Sequence, residues 1–395
     1  MPAQRSLGDA HNFGRRVRVR GRFVAKPRPV LWEWLLLAAE SPLRRVLSGA
    51  AADGRVESDA FDFLPSLGFE RHAARAGGAV ERVRLEPLGR LSARGRAGLA
   101  RAAGRLLALT SWLGIVDLHW ENLALGADRY GRLVFSPLDV EMILGDLALP
   151  TETKLIPDAD PEYAATNRHA AGLRRVLPYL GKPIRADYLL AMAGAYRGTL
   201  ELLERHARAI ADVFARLPHF GDTPIRVCLR GTDEYVRAAS VPPWPPLLEA
   251  EREQLARGDV PYFFRRYGAP GIHYYRNRAL TELGVLPRRG DAPKLEPLLA
   301  VTRGLRSPAR QKLRDQGLFA LLGAFDHAGL TGRHANDELT VRFGARSLGV
   351  RLASGDEFET RRDLSAFVGT IYSPCRCGEV RSALVPSVTR CRAAL

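Results

Sequence analysis

Gly114-Ile115-Val116-Asp117-Leu118-His119-Trp120-Glu121-Asn122-Leu123-Ala124-Leu125-Gly126 is the stretch on which the fold turns. A helical pattern runs into it. From Ala93 to Gly114, Leu99, Ala102, Ala103, Leu106, Leu107 and Leu109 share one face, with arginines opposite. A Gly/Asp turn follows at Gly126 to Gly131. A short apolar strand, Leu133 to Phe135, then leads to Leu138-Asp139-Val140-Glu141. The pattern therefore predicts an irregular loop carrying Asp117 and Asn122, and a strand end carrying Asp139.

These are the parts phosphoryl transfer needs. One Asp orients or deprotonates the attacking hydroxyl, an Asn binds magnesium, and a second Asp holds the metal bridging the phosphates. Carboxylate and amide oxygens suit Mg²⁺, which keeps several waters and needs few protein ligands. A kinase also places a cation on a strand before its first helix. Residues 14 to 26 alternate at Val17, Val19 and Phe23, with Gly21 at a turn, which predicts a strand or hairpin ending at Lys26. Pro27 and Pro29 stop it. Val30 to Glu40 reads as a helix, offering Glu33 or Glu40 as a partner for Lys26. Singly, each feature has a plainer reading: capping residues in a loop, a turn aspartate, a solvated lysine. Their order carries the weight.

Composition bounds the rest. The chain has 395 residues, 46% hydrophobic, with formal net charge +16. Five of its 59 basic residues are lysines, so arginine usage is skewed in a way a GC-rich genome produces by itself. An acidic partner is the functional reading of the same charge. The arginines are spread along helices with acids between them, and no helix-turn-helix, finger or aromatic RNA platform is evident, so no nucleic-acid partner is expected. The longest apolar run, Val30 to Ala39, is too short for a bilayer, and Met1 to Arg20 is no secretory signal. No membrane partner and a cytoplasmic location are expected. Cys228, Cys375, Cys377 and Cys391 form neither a disulfide framework nor a paired zinc site.

Elsewhere, residues 41 to 93 are mixed, with a strand expected at Ala79 to Leu85. Residues 146 to 160 are loop-like, and 186 to 217 predict one long helix or two abutting ones. Residues 240 to 247 are a Pro-rich connector. Leu247 to Arg257 is a charged helix ending at Gly258, 309 to 323 another helix, and Thr340 to Leu352 a hairpin. The fold class is α+β, strands early and helices later. The expected organisation is an N-lobe-like region over 1–110, a C-lobe over 111–265, and a helical and hairpin extension over 266–395.

Asp117 to Leu123, followed by Leu138-Asp139-Val140-Glu141, resembles the dehydratase domain of class II lanthipeptide synthetases (LanM type). Two further segments resemble that family. Gly8-Asp9-Ala10-His11-Asn12-Phe13-Gly14-Arg15 with Gly21 to Arg28 is similar to its Asp-x-His-x-x-Gly and Tyr-Lys-Pro-Arg elements. Arg257-Gly258-Asp259-Val260-Pro261-Tyr262-Phe263 is similar to its Gly-Asp-Ile-Pro-Tyr-Phe motif. The resemblance covers roughly 8 to 265.

The resemblance implies a two-lobed, lipid-kinase-like core using ATP and Mg²⁺. It implies phosphorylation of Ser or Thr in a ribosomally made precursor peptide, then elimination of phosphate to dehydroalanine or dehydrobutyrine. It assigns Asp117 and His119 to catalysis, and Lys26, Arg28, Asn122, Asp139 and Glu141 to the nucleotide, with Asn122 and Asp139 on the metal. His119 serves the loop or the γ-phosphate. Arg257 is the expected elimination arginine. The family's threonine has no counterpart nearby, where Phe263-Phe264-Arg265-Arg266 stands. Too few residues follow 265 for the family's cyclase, so ring closure would fall to a separate cyclase. The upstream helical region of the full-length synthetases is also expected to be missing. The alternatives are a catalytically weak relative acting as a peptide-binding partner, and a small-molecule or lipid kinase sharing only the fold.

Overall fold

The computed structural model describes residues 6–52, 60–71, 77–145, 147, 150–156, 171–180, 186–238, 247–267, 269–286, 339–343, 347–352 and 357–361. It is an α+β chain. Strands β1 (Ser6–His11), β2 (Arg15–Arg20), β3 (Phe23–Lys26), β4 (Phe69–Glu70) and β5 (Gly78–Glu81) form a sheet in the order β1-β2-β3-β5-β4. The register bears out the alternation of Val17 and Val19 but puts Phe23, opposite Arg20, on the other face. Val19 lies opposite Val24, Val24 opposite Val80, and Val80 opposite Phe69. That row is one face of the sheet. Lys26 shares the parity of Val24, so the strand carries it on the same face.

Pro27 and Pro29 end β3, since neither can donate to a ladder. Helix α1 (Leu31–Leu37) follows, then α2 (Pro42–Ala52). Helix α3 (Ala93–Leu113) starts at Ser92, whose hydroxyl accepts from Gly95 N–H at 3.2 Å, and stops at Gly114 with φ 64°. A Cβ at Gly114 would strike the Gly145 backbone, so the turn into the Asp117 loop admits glycine alone. Leu123–Ala127 (β6) and Leu133–Pro137 (β7) form a hairpin around the expected Gly/Asp turn.

The 186 to 217 segment is two abutting helices, α4 (Ala186–Arg205) and α5 (Ala207–Ala215). Gly104 of α3 lets α4 approach, because a Cβ there would meet Met192 O. One core runs from Trp32 through Trp112, Phe135 and Tyr196 to Ile225.

A second sheet, in the order β11-β10-β9-β8, joins Ile225–Val227 (β8), Phe263–Arg265 (β9), His273–Tyr275 (β10) and Leu283–Val285 (β11). Its two faces are both covered. Val227, Phe263 and Tyr274 pack on one side with Ala250 of helix α6 (Glu249–Ala256), and Tyr262, Phe264 and Tyr275 on the other. This sheet crosses the 265/266 boundary expected from the sequence, and α3 crosses the 110/111 boundary. Three-residue strands are too short to show a period, which is why the sheet escaped the sequence pattern. Among the described residues, 266–395 contains strands and no helix: β10, β11, and a meander of β12 (Leu339–Phe343), β13 (Ser347–Leu352) and β14 (Glu357–Arg361). The expected helix at 309 to 323, residues 240 to 246 of the connector, and Cys375, Cys377 and Cys391 lie outside the described residues.

Candidate functional site

The end of β3, the first turn of α1 and the strand end after β7 converge on one buried cluster. Lys26 Nζ donates to Glu33 Oε1 at 2.9 Å, to Leu138 O at 3.0 Å and to Asp139 Oδ1 at 3.0 Å. Glu33 is therefore the partner of Lys26, while Glu40 bonds to the Trp34 indole. Arg28, held between two prolines, forks onto Glu33 at 2.5 and 3.2 Å. It also reaches Asp139 Oδ1, and its Nε lies 2.9 Å from Glu141 Oε2. Glu141 in turn pairs with Arg226 of β8, whose backbone N–H donates to Glu141 O at 2.8 Å. Six charged side chains thus alternate in sign along one chain of contacts. The Glu33 side chain is 0% exposed and the Lys26 side chain 8%.

The environment sets the protonation states. Burial pushes the Lys26 ammonium down to about 8; Glu33 pulls the other way and Arg28 adds to the lowering. Burial alone would raise Glu33, but Arg28 and Lys26 overcome it and hold the carboxyl below its ordinary range. Burial likewise opposes Glu141, which Arg226 and Arg28 hold down to about 2. Burial also pushes the Tyr262 phenol up, helped by Glu141. A buried ion pair is stabilising only when every charge finds a partner, and here each does.

The second cluster is more open. Asp117 takes φ 66°, a left-handed conformation that aspartate tolerates better than most residues. Its side chain is 48% exposed. Asn122 Nδ2 donates to Asp117 O at 2.9 Å and, more weakly, to Asp117 Oδ2 at 3.4 Å. His119 Nδ1 lies 3.3 Å from Asp117 Oδ1. The side-chain hydrogen bond to Asp117 raises the His119 pKa above 6.5, with burial opposing. The two clusters are joined by backbone, for Leu138 N–H donates to Asn122 O at 2.8 Å.

Arg257 belongs to a third group. It pairs with Glu253 at 3.3 Å and Asp259 at 3.4 Å, and lies 4.1 Å from the Phe13 ring centroid. Asp259 accepts from Phe13 N–H at 2.8 Å and Gly14 N–H at 2.7 Å. Val260 N–H donates to Ala10 O at 2.8 Å, and His11 Nδ1 sits 2.7 Å from Val260 O. These bonds hold the β1 to β2 turn, where Asn12 and Phe13 have φ 49° and 72°. Among the described residues, Arg257 makes no hydrogen bond or ion pair with Lys26, Asp117, Asn122 or Asp139. The structure thus joins Lys26, Arg28, Asp139 and Glu141 directly, gathers Asp117, His119 and Asn122 beside them, and sets Arg257 apart.

Sequence reasoning missed Arg226. It lies 85 positions from Glu141, and nothing local marks it. Its guanidinium sits 5.5 Å from the Tyr262 ring centroid, so it links the second sheet to the charged cluster. His11 connects there as well: burial first and Arg226 second lower its pKa.

The donor set fits magnesium. Among the described residues, no hydrogen bond occupies Asn122 Oδ1 or Asp139 Oδ2, and both are hard oxygen donors. No group of three or more His, Cys, Asp or Glu able to hold a metal occurs among the described residues. No helix among them is long and apolar enough to cross a membrane. No family model matches the chain, and no curated protein matches it.

Proposed function

We propose that this chain is an ATP-dependent kinase with a two-lobed, lipid-kinase-like core, acting on Ser or Thr of a ribosomally made precursor peptide. The carrying observation is Lys26 bridging Glu33 and Asp139, a cation between a helix carboxylate and a strand-end carboxylate. Phosphoryl transfer needs little covalent chemistry from a protein and much positioning, and the pair of cations braced by carboxylates, Lys26 and Arg28, supports that reading. Lys26 and Arg28 bind the phosphates. Asn122 and Asp139 hold magnesium, which neutralises charge building on the phosphate oxygens. Asp117 orients the acceptor hydroxyl and takes its proton as the hydroxyl oxygen bonds the γ-phosphorus and the bond to the β-phosphate oxygen breaks. His119 keeps Asp117 in place.

Elimination to dehydroalanine or dehydrobutyrine is the second step of the same proposal. It removes the α-proton and expels phosphate, and it needs a base and a cation near the departing group. Arg257 and Arg226 are the cations on the His11 side of the site. The test is incubation with ATP, Mg²⁺ and the precursor peptide encoded beside this protein, read by mass. A gain of about 80 Da marks phosphate and a loss of about 18 Da marks completed dehydration. No mass change with a verified substrate overturns the proposal.

A further inference from the structure

Residues 6–26 carry Arg15, Arg16, Arg18, Arg20, Arg22 and Lys26 against a single acid, Asp9. The sheet sorts them. Arg16, Arg18 and Arg20 are exposed on the face opposite the Val19, Val24 and Val80 row. Arg18 stands opposite Ala25, and Arg20 opposite Phe23, over which the Arg22 guanidinium lies at 5.0 Å from the ring centroid. Arg16 bonds to Gly8 O at 2.7 Å. None of these four arginines makes an ion pair among the described residues. Glu81, on the same face, is engaged by Gly68 N–H at 2.9 Å.

We propose that this arginine row docks an acidic, extended segment of the peptide substrate. The choice of a peptide over other polyanions rests on the reading of the site given above. Alternate residues of a strand repeat at about 7 Å, and so do alternate residues of an extended peptide. An acid at every second position therefore meets Arg16, Arg18 and Arg20 in step, and a guanidinium fork suits a carboxylate. Docking runs over the face and not along the free edge. The register of β1 breaks between Leu7 and His11, where Gly8 has φ 68°, and such a bulge disfavours main-chain pairing at an edge.

The experiment measures anisotropy of a fluorescein-labelled peptide of alternating Ser and Glu with the full-length protein, without nucleotide. Binding should weaken as salt rises from about 50 to about 300 mM. Arg18→Glu with Arg20→Glu should weaken it at least about tenfold, Arg18→Ala with Arg20→Ala by less. Arg90→Glu with Arg94→Glu, the same charge change at exposed arginines outside the row, should leave it nearly unchanged. Equal loss in both reversals overturns the proposal in favour of general charge. Displacement of the peptide by a single-stranded DNA oligonucleotide or by phosphatidylserine vesicles at lower concentration overturns it in favour of another class of partner. Asp139→Ala should bind the peptide like wild type. If binding follows this pattern and no phosphate is ever transferred, the kinase reading fails and the docking face stands. If transfer occurs and an acidic tail gives no lower KM, the docking face fails and the kinase reading stands.

Discussion

Asp139 and Asp117 are held in opposite ways. Asp139 is pinned by two buried cations that also share Glu33, within a network closed by Glu141 and Arg226. Asp117 is half exposed, and its carboxylate contacts are 3.3 and 3.4 Å long. Fixed charge placement is most effective where charge is large and water is scarce, which describes a phosphate pocket. An acceptor group must instead admit a substrate hydroxyl from solution. Under the proposed function, the braced side would serve the nucleotide and the looser side the peptide.

Replacing either aspartate tests that division. Asp139→Ala and Lys26→Ala should each lower phosphate transfer by about 10³-fold or more, since both touch the phosphate side. Asp117→Asn should lower kcat to a similar degree, yet leave ATP affinity within about twofold. Calorimetric nucleotide binding beside the mass assay separates the two. Equal loss of ATP binding in Asp117→Asn and Asp139→Ala would erase the distinction.

Stability should divide the same way. Glu33→Ala leaves Lys26 and Arg28 buried against fewer carboxylates and should cost about 3–5 kcal/mol by denaturant unfolding. Asp117→Asn should cost under about 1 kcal/mol, because its contacts are long and half solvated. A Glu33→Ala protein as stable as wild type would mean that the cluster is not braced as described.

Acid reaches the buried side first as a loss of stability. Folded Glu141 protonates only near about 2, against an ordinary value of 4.5. Between those values the unfolded chain binds a proton that the native state refuses. The contribution is complete above about 4.5 and is lost as pH falls toward about 2. Glu33 acts in the same direction. Glu141→Gln should flatten the fall in Tm over that window. At the alkaline end Lys26 gives opposite signs in two measurements. From about 8 to 10.5 the unfolded chain holds a proton that native Lys26 has lost, so this residue favours the folded state more as pH rises. Its charge is meanwhile withdrawn from the phosphates, so ATP affinity should fall by up to about tenfold per pH unit.

The braced side was half legible in the sequence. Alternation across residues 14 to 26 gave the strands that end at Lys26, and the 3.6-residue spacing of α3 ended at Gly114 as read, because these elements are long enough to show a period; the face that Lys26 occupies came from the register. Glu33 was one of two offered partners, and only packing chose it: Glu40 lies past the end of α1. Arg226 was invisible because β8 spans three residues and its partner comes from a distant strand end. Arg257 was placed by motif alone, and its partners turned out to be Phe13, Glu253 and Asp259. Spacing along a chain reports helix and strand faces, whereas pairing between distant segments is settled by tertiary packing.

His119 gives the smallest and sharpest contrast. Its hydrogen bond to Asp117 raises its pKa above 6.5, so the pair favours the folded state fully below that value. The contribution is lost as pH rises through the raised folded value. The pair is partly solvated, so His119→Ala should cost under about 1 kcal/mol and remove a small pH dependence of Tm near neutrality. Its effect on catalysis should be larger than its effect on stability. Without His119, Asp117 keeps its left-handed backbone and its bond from Asn122, but loses the partner that orients its carboxylate. A kcat reduced about ten- to a hundredfold at unchanged ATP affinity fits a positioning residue on the acceptor side. Loss of ATP binding in His119→Ala would instead move the histidine to the phosphate side, and the boundary between the two halves of the site with it.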